Sequence, residues 1–147
     1  MRLSATLMLF SAILLCAQTP DETAAVATVQ KTFDGMAGHD AAVIRSTMLP
    51  AAQLYAVRED GTTSGRSAEE FAAQIASAKG DLLERFTRTP SVSIRGRMAQ
   101  VWGEYEFLHD GKFSHCGVDS VSLFKTAEGW KIASIAYTTE TTGCQTR

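Results

Sequence analysis

Three strand-like segments joined by two tight turns occupy the end of the sequence. They span 98–108, 113–125 and 130–139, and each is rich in β-branched and aromatic residues. Asp110-Gly111 is typical of a type I′ hairpin turn, and Glu128-Gly129 predicts a second tight hairpin. Because two-residue turns join antiparallel neighbours, this region predicts a three-stranded antiparallel meander.

Helix signals fill the first half of the chain. Thr19 and Glu22 are spaced as a capping box with Pro20 between them, and apolar residues follow at helical spacing as far as Gly38. Two further helices are predicted over 39–48 and 67–80, and strands over 51–60, 82–88 and 92–95. The order predicts an α+β domain, with three N-terminal helices packed on one face of a curved antiparallel sheet.

Length and charge bound the class of protein. A chain of 147 residues fits one domain, and its 45% hydrophobic content is sufficient for a packed core. The formal net charge is -2 and no block of basic residues stands out. A nucleic-acid partner is therefore not expected.

The N-terminus differs in character from the rest. Arg2 precedes an apolar run from Leu7 to Ala17, which predicts a signal peptide over 1–18 and a mature domain over 19–147. The run is shorter than the roughly 20 residues that span a bilayer, so no stable membrane span is expected after cleavage. A buried N-terminal helix and a lipoprotein anchored through Cys16 are the alternatives. The protein is thus expected to be exported, either periplasmic or secreted.

Cleavage after residue 18 would leave two cysteines, Cys116 and Cys144. In an oxidising compartment such a pair is a disulfide candidate. Two cysteines and three scattered histidines do not give the spacing of a zinc site, so no metal is predicted. No cofactor motif is evident either.

The segment "KFSHCGVDS" places His115, Cys116 and Asp119 on one predicted strand. Successive strand side chains alternate between faces, so His115 and Cys116 point apart, and a cysteine nucleophile is not favoured. His115 and Asp119 share a face but are separated by roughly 13 Å along the strand. They are weak catalytic candidates because they cannot form a direct dyad.

The Asp110-Gly111 turn predicts which residues share each face, pairing His115 with Glu106. The more polar face would carry Trp102, Glu104, Glu106, His115 and Asp119. The more apolar face, predicted to meet the helices, would carry Val101, Tyr105, Phe107, Cys116 and Val118. Gly103 is expected to mark a bend or bulge in its strand.

The stretch "FDGMAGHDAAVIRSTM" and the ending "VWGEYEFLHDGKFSHCGVDSVSLFKTAEGWKIASIAYT" resemble the nuclear transport factor 2-like (NTF2-like) superfamily. This group includes SnoaL-like, ketosteroid isomerase-like and lumazine-binding-like proteins. The resemblance implies a cone-shaped α+β fold, a pocket between helices and sheet, and frequent homodimers. Members include enzymes, binding proteins and interaction modules, so the fold alone does not choose a function.

The resemblance gives little support to isomerase chemistry. Ketosteroid isomerases use an aspartate base and an oxyanion hole made of a tyrosine and a protonated aspartate. Alignment places Thr32 or Phe33 at the tyrosine and Tyr55-Ala56 at the base. Asp119 lies close to the protonated aspartate, so two of the three parts are missing.

Three functions stay open at this point. An enzyme of the SnoaL-like, dehydratase or isomerase type would use His115 and Asp119, and a dimeric interaction module would use the outer sheet face around Trp102. A binding protein needs only a pocket, and the sequence favours it over an enzyme. A small apolar or aromatic ligand would contact Tyr55, Val101, Tyr105, Phe107, Val118 and Tyr137.

Overall fold

The structure, a computed structural model, describes residues 18–144. The signal-peptide prediction and Cys16 lie outside these residues. Within them the chain forms three helices, α1 Pro20–Ala37, α2 Ala41–Thr47 and α3 Ala68–Ser77. Seven strands complete the described part: β1 Met48–Arg58, β2 Thr63–Ser67, β3 Leu82–Phe86, β4 Ser91–Arg95, β5 Met98–His109, β6 Lys112–Thr126 and β7 Gly129–Thr139.

The two long helices begin where their caps predict. Thr19 Oγ1 accepts from the Glu22 backbone N–H, while the Glu22 carboxylate accepts from the Thr19 N–H at 2.6 Å. Ser67 and Glu70 form the same reciprocal cap at α3. These caps satisfy N–H groups that a helix start leaves unpaired, so each helix has a defined first turn.

The sheet runs in the order β2-β1-β7-β6-β5-β3, with β4 also paired to β5. The predicted antiparallel meander of β5, β6 and β7 is confirmed. The predicted curved sheet is mixed rather than antiparallel throughout, because β1 joins β7 in parallel. The segment Thr63–Ser67, where no strand was predicted, is an edge strand on β1, and its polar sequence has no apolar alternation to indicate a strand.

A bulge close to the first hairpin changes the predicted faces. His109 pairs with Lys112 as expected, but the register shifts between Leu108 and Phe107, so that Phe107 pairs with His115. One extra residue on β6 turns every later β6 side chain to the opposite face. The predicted pairing of His115 with Glu106 is therefore wrong.

Gly103 has a different role from the predicted bend. The β5–β6 register runs through Gly103 without a shift. A Cβ at Gly103 would lie 2.6 Å from the Phe86 ring and 3.0 Å from Pro90. The missing side chain lets Phe86 cross the inner face of β5, where its ring meets Phe33 of α1 edge-on at 5.2 Å.

The hydrophobic core lies between the helices and the inner face of the sheet. Fully buried members come from α1, α2, β5, β6 and β7: Val29, Ile44, Val101, Leu123 and Ile132. None of the helices within 18–144 is long and apolar enough to span a membrane. Sheet curvature leaves a space between this core and α3, and that space holds the candidate site.

Candidate functional site

A cavity of about 250 Å³ lies between α1, α3 and the inner face of the sheet. Its wall is mostly apolar, with aromatic and aliphatic side chains that include Phe33, Phe71, Phe107, Ile75 and Ile135. A smaller polar set shares the lining: Glu84, Asp119, Tyr105, Tyr137, His115 and Arg66. An apolar space with a few convergent polar groups is the usual form of a small-molecule site.

Asp119 is the buried acid of the cavity, with 2% of its surface exposed. The β6 bulge turns it inward, opposite Gly103 of β5 and Tyr137 of β7. Its Oδ2 has no hydrogen-bond partner among the residues that the structure describes. A buried carboxylate oxygen without a donor is costly, and in native proteins it calls for an explanation.

Glu84 of β3 forms a carboxyl pair with Asp119. Burial and the negative charge of Asp119 raise the pKa of Glu84 well above its ordinary value, and a hydrogen bond to Asp119 adds to the rise. Burial raises the pKa of Asp119 to about 7, and the hydrogen bond from Glu84 opposes that rise. Both carboxyl groups therefore retain protons at pH values where an exposed carboxyl is ionised, and the pair titrates as a unit.

Tyr105 lines the cavity, but its hydroxyl is already engaged. The side chain is buried, and the hydroxyl donates to the Thr138 carbonyl at 2.7 Å. Thr138 also accepts the Val118 N–H on its own hydroxyl at 3.0 Å. A Cβ at Gly117 would collide with the Thr138 carbonyl, so glycine is what allows this close approach. Burial raises the pKa of Tyr105 far above its ordinary value.

His115 also faces the cavity, on the same side of β6 as Asp119. Its ring stacks on Phe107 at 4.9 Å and meets Tyr105 edge-on at 5.9 Å. Burial lowers the pKa of His115, so the neutral imidazole is favoured near pH 7. Gly117 separates His115 from Asp119 along β6, consistent with the predicted lack of a direct dyad.

Arg66 and Gln74 form a more exposed part of the lining. The Arg66 guanidinium donates to the Gln74 side-chain oxygen. Burial raises the pKa of Tyr137, and the charge of Arg66 opposes that rise. The pKa of Asp119, in contrast, is set by burial and by Glu84, and Arg66 is not among its causes.

The structure separates the six predicted ligand contacts into two groups. Tyr105, Phe107 and Tyr137 line the cavity, and their contact with a ligand stays a prediction. Val101 is fully buried but does not belong to the lining. Tyr55 is 53% exposed beside Ala136, and Val118 follows the β6 bulge to the outer face. The face predicted for Val118 is thus wrong for the same reason as that of His115 and Asp119.

Glu84 is the site residue that the sequence analysis missed. In "LLERF" the side chains of Leu82, Glu84 and Phe86 alternate with those of Leu83 and Arg85. Two apolar residues flanking Glu84 at period two already indicate that its face is the inner one. The strand is short, however, and its sequence does not identify Asp119 as the partner.

Cys116 and Cys144 lie together on the outer side of the sheet. Their α-carbons are 6.0 Å apart and the Sγ atoms are at bonding distance. Cys116 also forms an antiparallel bridge with Glu140, which brings the segment after β7 beside β6. The described residues contain no group of three side chains placed to hold a metal ion.

The chain is similar to known proteins in both sequence and fold. The model of the family described as "Putative lumazine-binding" matches residues 20–138. An NTF2-like protein of Silicibacter pomeroyi is 21% identical, with 80% of this chain and 94% of that chain covered and a TM-score of 0.62. A "putative dehydratase" of the NTF2-like family from Streptomyces avermitilis is 18% identical, with 82% and 98% covered and a TM-score of 0.66.

A third solved structure, a Nostoc punctiforme protein with a cystatin-like fold, is 8% identical. It covers 85% of this chain and 95% of its own, with a TM-score of 0.68. At these identities the likeness establishes the fold alone, and it confirms the NTF2-like architecture. Among curated proteins, none matches the chain.

Proposed function

The chain belongs to the family described as "Putative lumazine-binding", within the NTF2-like superfamily, and on that premise we propose that it is an exported protein that binds a small molecule. The site of binding is the cavity between α1, α3 and the inner face of the sheet. The family description supports a small-ligand function. The apolar run before residue 18 and the Cys116–Cys144 pair support export.

The strongest support for this proposal is the cavity itself. It combines an apolar wall with a buried carboxylate oxygen that has no donor within residues 18–144. A polar group of this kind is tolerated where a ligand or water completes its hydrogen bonds. The interior is open rather than filled, which favours a binder over a pure interaction module. Trp102, at 52% exposed, still leaves the outer face available for a second contact.

The size of the cavity limits the ligand. An apolar cavity of about 150 Å³ in another protein holds one benzene molecule. At about 250 Å³, this cavity accommodates a two-ring body with one short substituent. Phe33, Phe71 and Phe107 offer ring faces and edges against which such a body can pack.

Titration with naphthylmethanol, followed by calorimetry, tests the proposal. The wild-type protein is expected to bind one equivalent. Val121→Phe should abolish binding, because Val121 lines the cavity at 1% exposure and a larger ring there occupies the ligand space. Lys112→Ala, at an exposed position of the same strand, is the matched control. Equal affinity in wild type and Val121→Phe, with the fold intact by circular dichroism, would place binding elsewhere.

Proton transfer to and from a bound substrate is a second function that one observation favours. The Glu84–Asp119 pair places two carboxyl groups in one apolar cavity, where the pKa of Asp119 is raised to about 7 and that of Glu84 well above its ordinary value. Groups whose pKa values are driven apart in this way suit general acid–base catalysis. His115 and Asp119 are the catalytic candidates of the sequence analysis; in this second function Glu84 is the partner of Asp119, and His115 forms part of the cavity wall.

Deuterium exchange into tetralone, a two-ring ketone of suitable size, tests this second function. Abstraction of a proton next to the carbonyl by Asp119 would incorporate deuterium from heavy water, which proton NMR detects. Catalysed exchange by wild type that is lost in Asp119→Asn is the expected result. Exchange at the buffer rate in both proteins would leave the cavity as a binding site without this chemistry.

A further inference from the structure

We propose that the ligand of this cavity carries a basic nitrogen, whose protonated form binds the Glu84–Asp119 carboxyl pair while an apolar body packs against the aromatic wall. The inference rests on the proposed function and names the class of ligand. Two observations support it: the pair has an acceptor oxygen without a donor, and the positively charged groups of the lining act on other residues.

The acceptor capacity of the pair exceeds the donors that the protein supplies. An ionised carboxylate has about four acceptor sites, and the hydrogen bond with Glu84 fills one of them. Asp119 Oδ2 meets no donor from the part of the chain that the structure describes. Only 2% of the Asp119 surface is exposed, so bulk water does not replace the missing donor.

The positive groups of the lining do not neutralise this charge. Arg66 donates to Gln74, and its charge acts on Tyr137. His115 is driven toward its neutral form by burial. The cavity therefore keeps a net negative group among apolar side chains, which is the electrostatic complement of an organic cation.

Other ligand classes fit less well. A carboxylate or phosphate would place a like charge beside Asp119, which is destabilising at low dielectric. A neutral hydrocarbon would leave Oδ2 without a donor. A protonated amine supplies up to three N–H donors, and Phe33, Phe71 and Phe107 give its aromatic or aliphatic body a matching surface.

Binding should be coupled to proton release. A cation stabilises ionised Asp119, so it lowers the pKa of that carboxyl, which burial otherwise raises to about 7. The other titratable groups that line the cavity with Asp119 are Glu84 of β3, Tyr105 of β5, Tyr137 of β7 and His115 on β6 itself, with Arg66 of β2 at the more exposed edge. The helices contribute uncharged side chains to the lining, among them Thr32 and Gln74.

The experiment compares three ligands of one shape: naphthylmethylamine, naphthylmethanol and naphthoate. Calorimetric titrations use the wild-type protein, Asp119→Asn, and Glu104→Gln as the matched control. Glu104 lies on the outer face of β5, where its carboxylate is 3.7 Å from Arg88. Titration of the amine in two buffers of different ionisation enthalpy reports the protons released on binding.

The expected result is that wild type binds the amine at least about tenfold more tightly than the alcohol, with naphthoate weakest. Asp119→Asn should lose this preference while its affinity for the alcohol changes by less than about threefold, and Glu104→Gln should behave as wild type. In wild type, amine binding should release protons at about pH 6 and none at about pH 8.5.

Two results would overturn the inference. Binding of the alcohol with no preference for the amine, or an amine preference that survives Asp119→Asn, refutes the basic-nitrogen ligand and leaves the binding cavity in place. Failure of all three ligands to bind refutes the cavity as a binding site and the inference with it. If Asp119→Asn fails to fold, the proton release by wild type still decides, because binding without release contradicts a role for ionised Asp119.

Discussion

The carboxyl groups of Glu84 and Asp119 form a hydrogen-bonded pair inside an apolar cavity, although 35 positions separate the two residues in the sequence. Glu84 comes from the short strand β3 and Asp119 from the centre of β6, with β5 between the two strands. Sheet curvature and the β6 bulge bring both side chains to the same cavity. The pair is the polar centre of the site.

Replacing Asp119 with asparagine should make the protein more stable at neutral and alkaline pH. The folded-state pKa of Asp119 is raised to about 7 from an ordinary 3.8, so the folded protein holds a proton that the unfolded chain has released. Stability of the wild type therefore falls as pH rises from about 4 to about 7 and then levels. Asp119→Asn has no such loss. The difference in unfolding free energy between the variant and the wild type should therefore grow by roughly 1–3 kcal/mol between about pH 4.5 and pH 8.

Chemical denaturation at several pH values measures this difference in the free energy of unfolding. Glu128→Gln is the control, since the side chain of Glu128 is 81% exposed in the second hairpin. An Asp119→Asn advantage that stays constant or shrinks with rising pH would show that Asp119 is not destabilised by its charge.

Tyr105→Phe should lower stability more than it lowers ligand affinity. The Tyr105 hydroxyl donates to the Thr138 carbonyl inside the protein, so its removal leaves that acceptor without its donor. The expected cost is about 1–2 kcal/mol of unfolding free energy, with a less than threefold change in naphthylmethanol affinity. Tyr55→Phe, on the exposed outer face, should be neutral. A large loss of affinity at unchanged stability would assign the hydroxyl to the ligand instead.

Gly117→Ala should disturb the same contact from the other side. The added methyl group would meet the Thr138 carbonyl and hydroxyl, both of which hold neighbouring groups in place. Overpacking of this kind costs about 1–3 kcal/mol. Thermal denaturation measures the loss, with Lys112→Ala as the exposed control on the same strand. A wild-type melting temperature for Gly117→Ala would mean that β7 shifts freely away from β6.

The Cys116–Cys144 pair should be oxidised in exported protein. Thiol titration without reductant is expected to find neither cysteine free, consistent with α-carbons 6.0 Å apart. The chain-entropy model gives a contribution of roughly 3–4 kcal/mol for a loop of this length. Reductant should therefore destabilise the wild type but not a Cys116→Ser/Cys144→Ser double variant. Two free thiols in unreduced exported protein would contradict the disulfide.

Local patterns predicted most of the fold because each depends on residues close in sequence. The capping boxes at Thr19 and Ser67, and the turn at Asp110-Gly111, are local rules that the structure obeys. The parallel pairing of β1 with β7 joins distant segments, and no local pattern encodes it. The edge strand Thr63–Ser67 is stabilised by its partner rather than by its own apolar residues.

The candidate site was predicted only in part, and the reason is a single inserted residue. The shift between Leu108 and Phe107 turned His115, Gly117 and Asp119 inward, whereas a regular hairpin would have turned them outward. The extra residue lies on β6 and not on β5, so the predicted faces of Tyr105 and Phe107 are correct. A bulge one or two residues from a turn has little sequence signature, yet it decides which side chains enter the cavity.

A crystal structure of the protein grown with naphthylmethylamine tests the basic-nitrogen ligand most directly. The ring should lie within the cavity against Phe33, Phe71 and Phe107, with the nitrogen about 3 Å from the Asp119 carboxylate. An empty cavity, with the ligand instead on the outer face of the sheet beside Trp102, would contradict it.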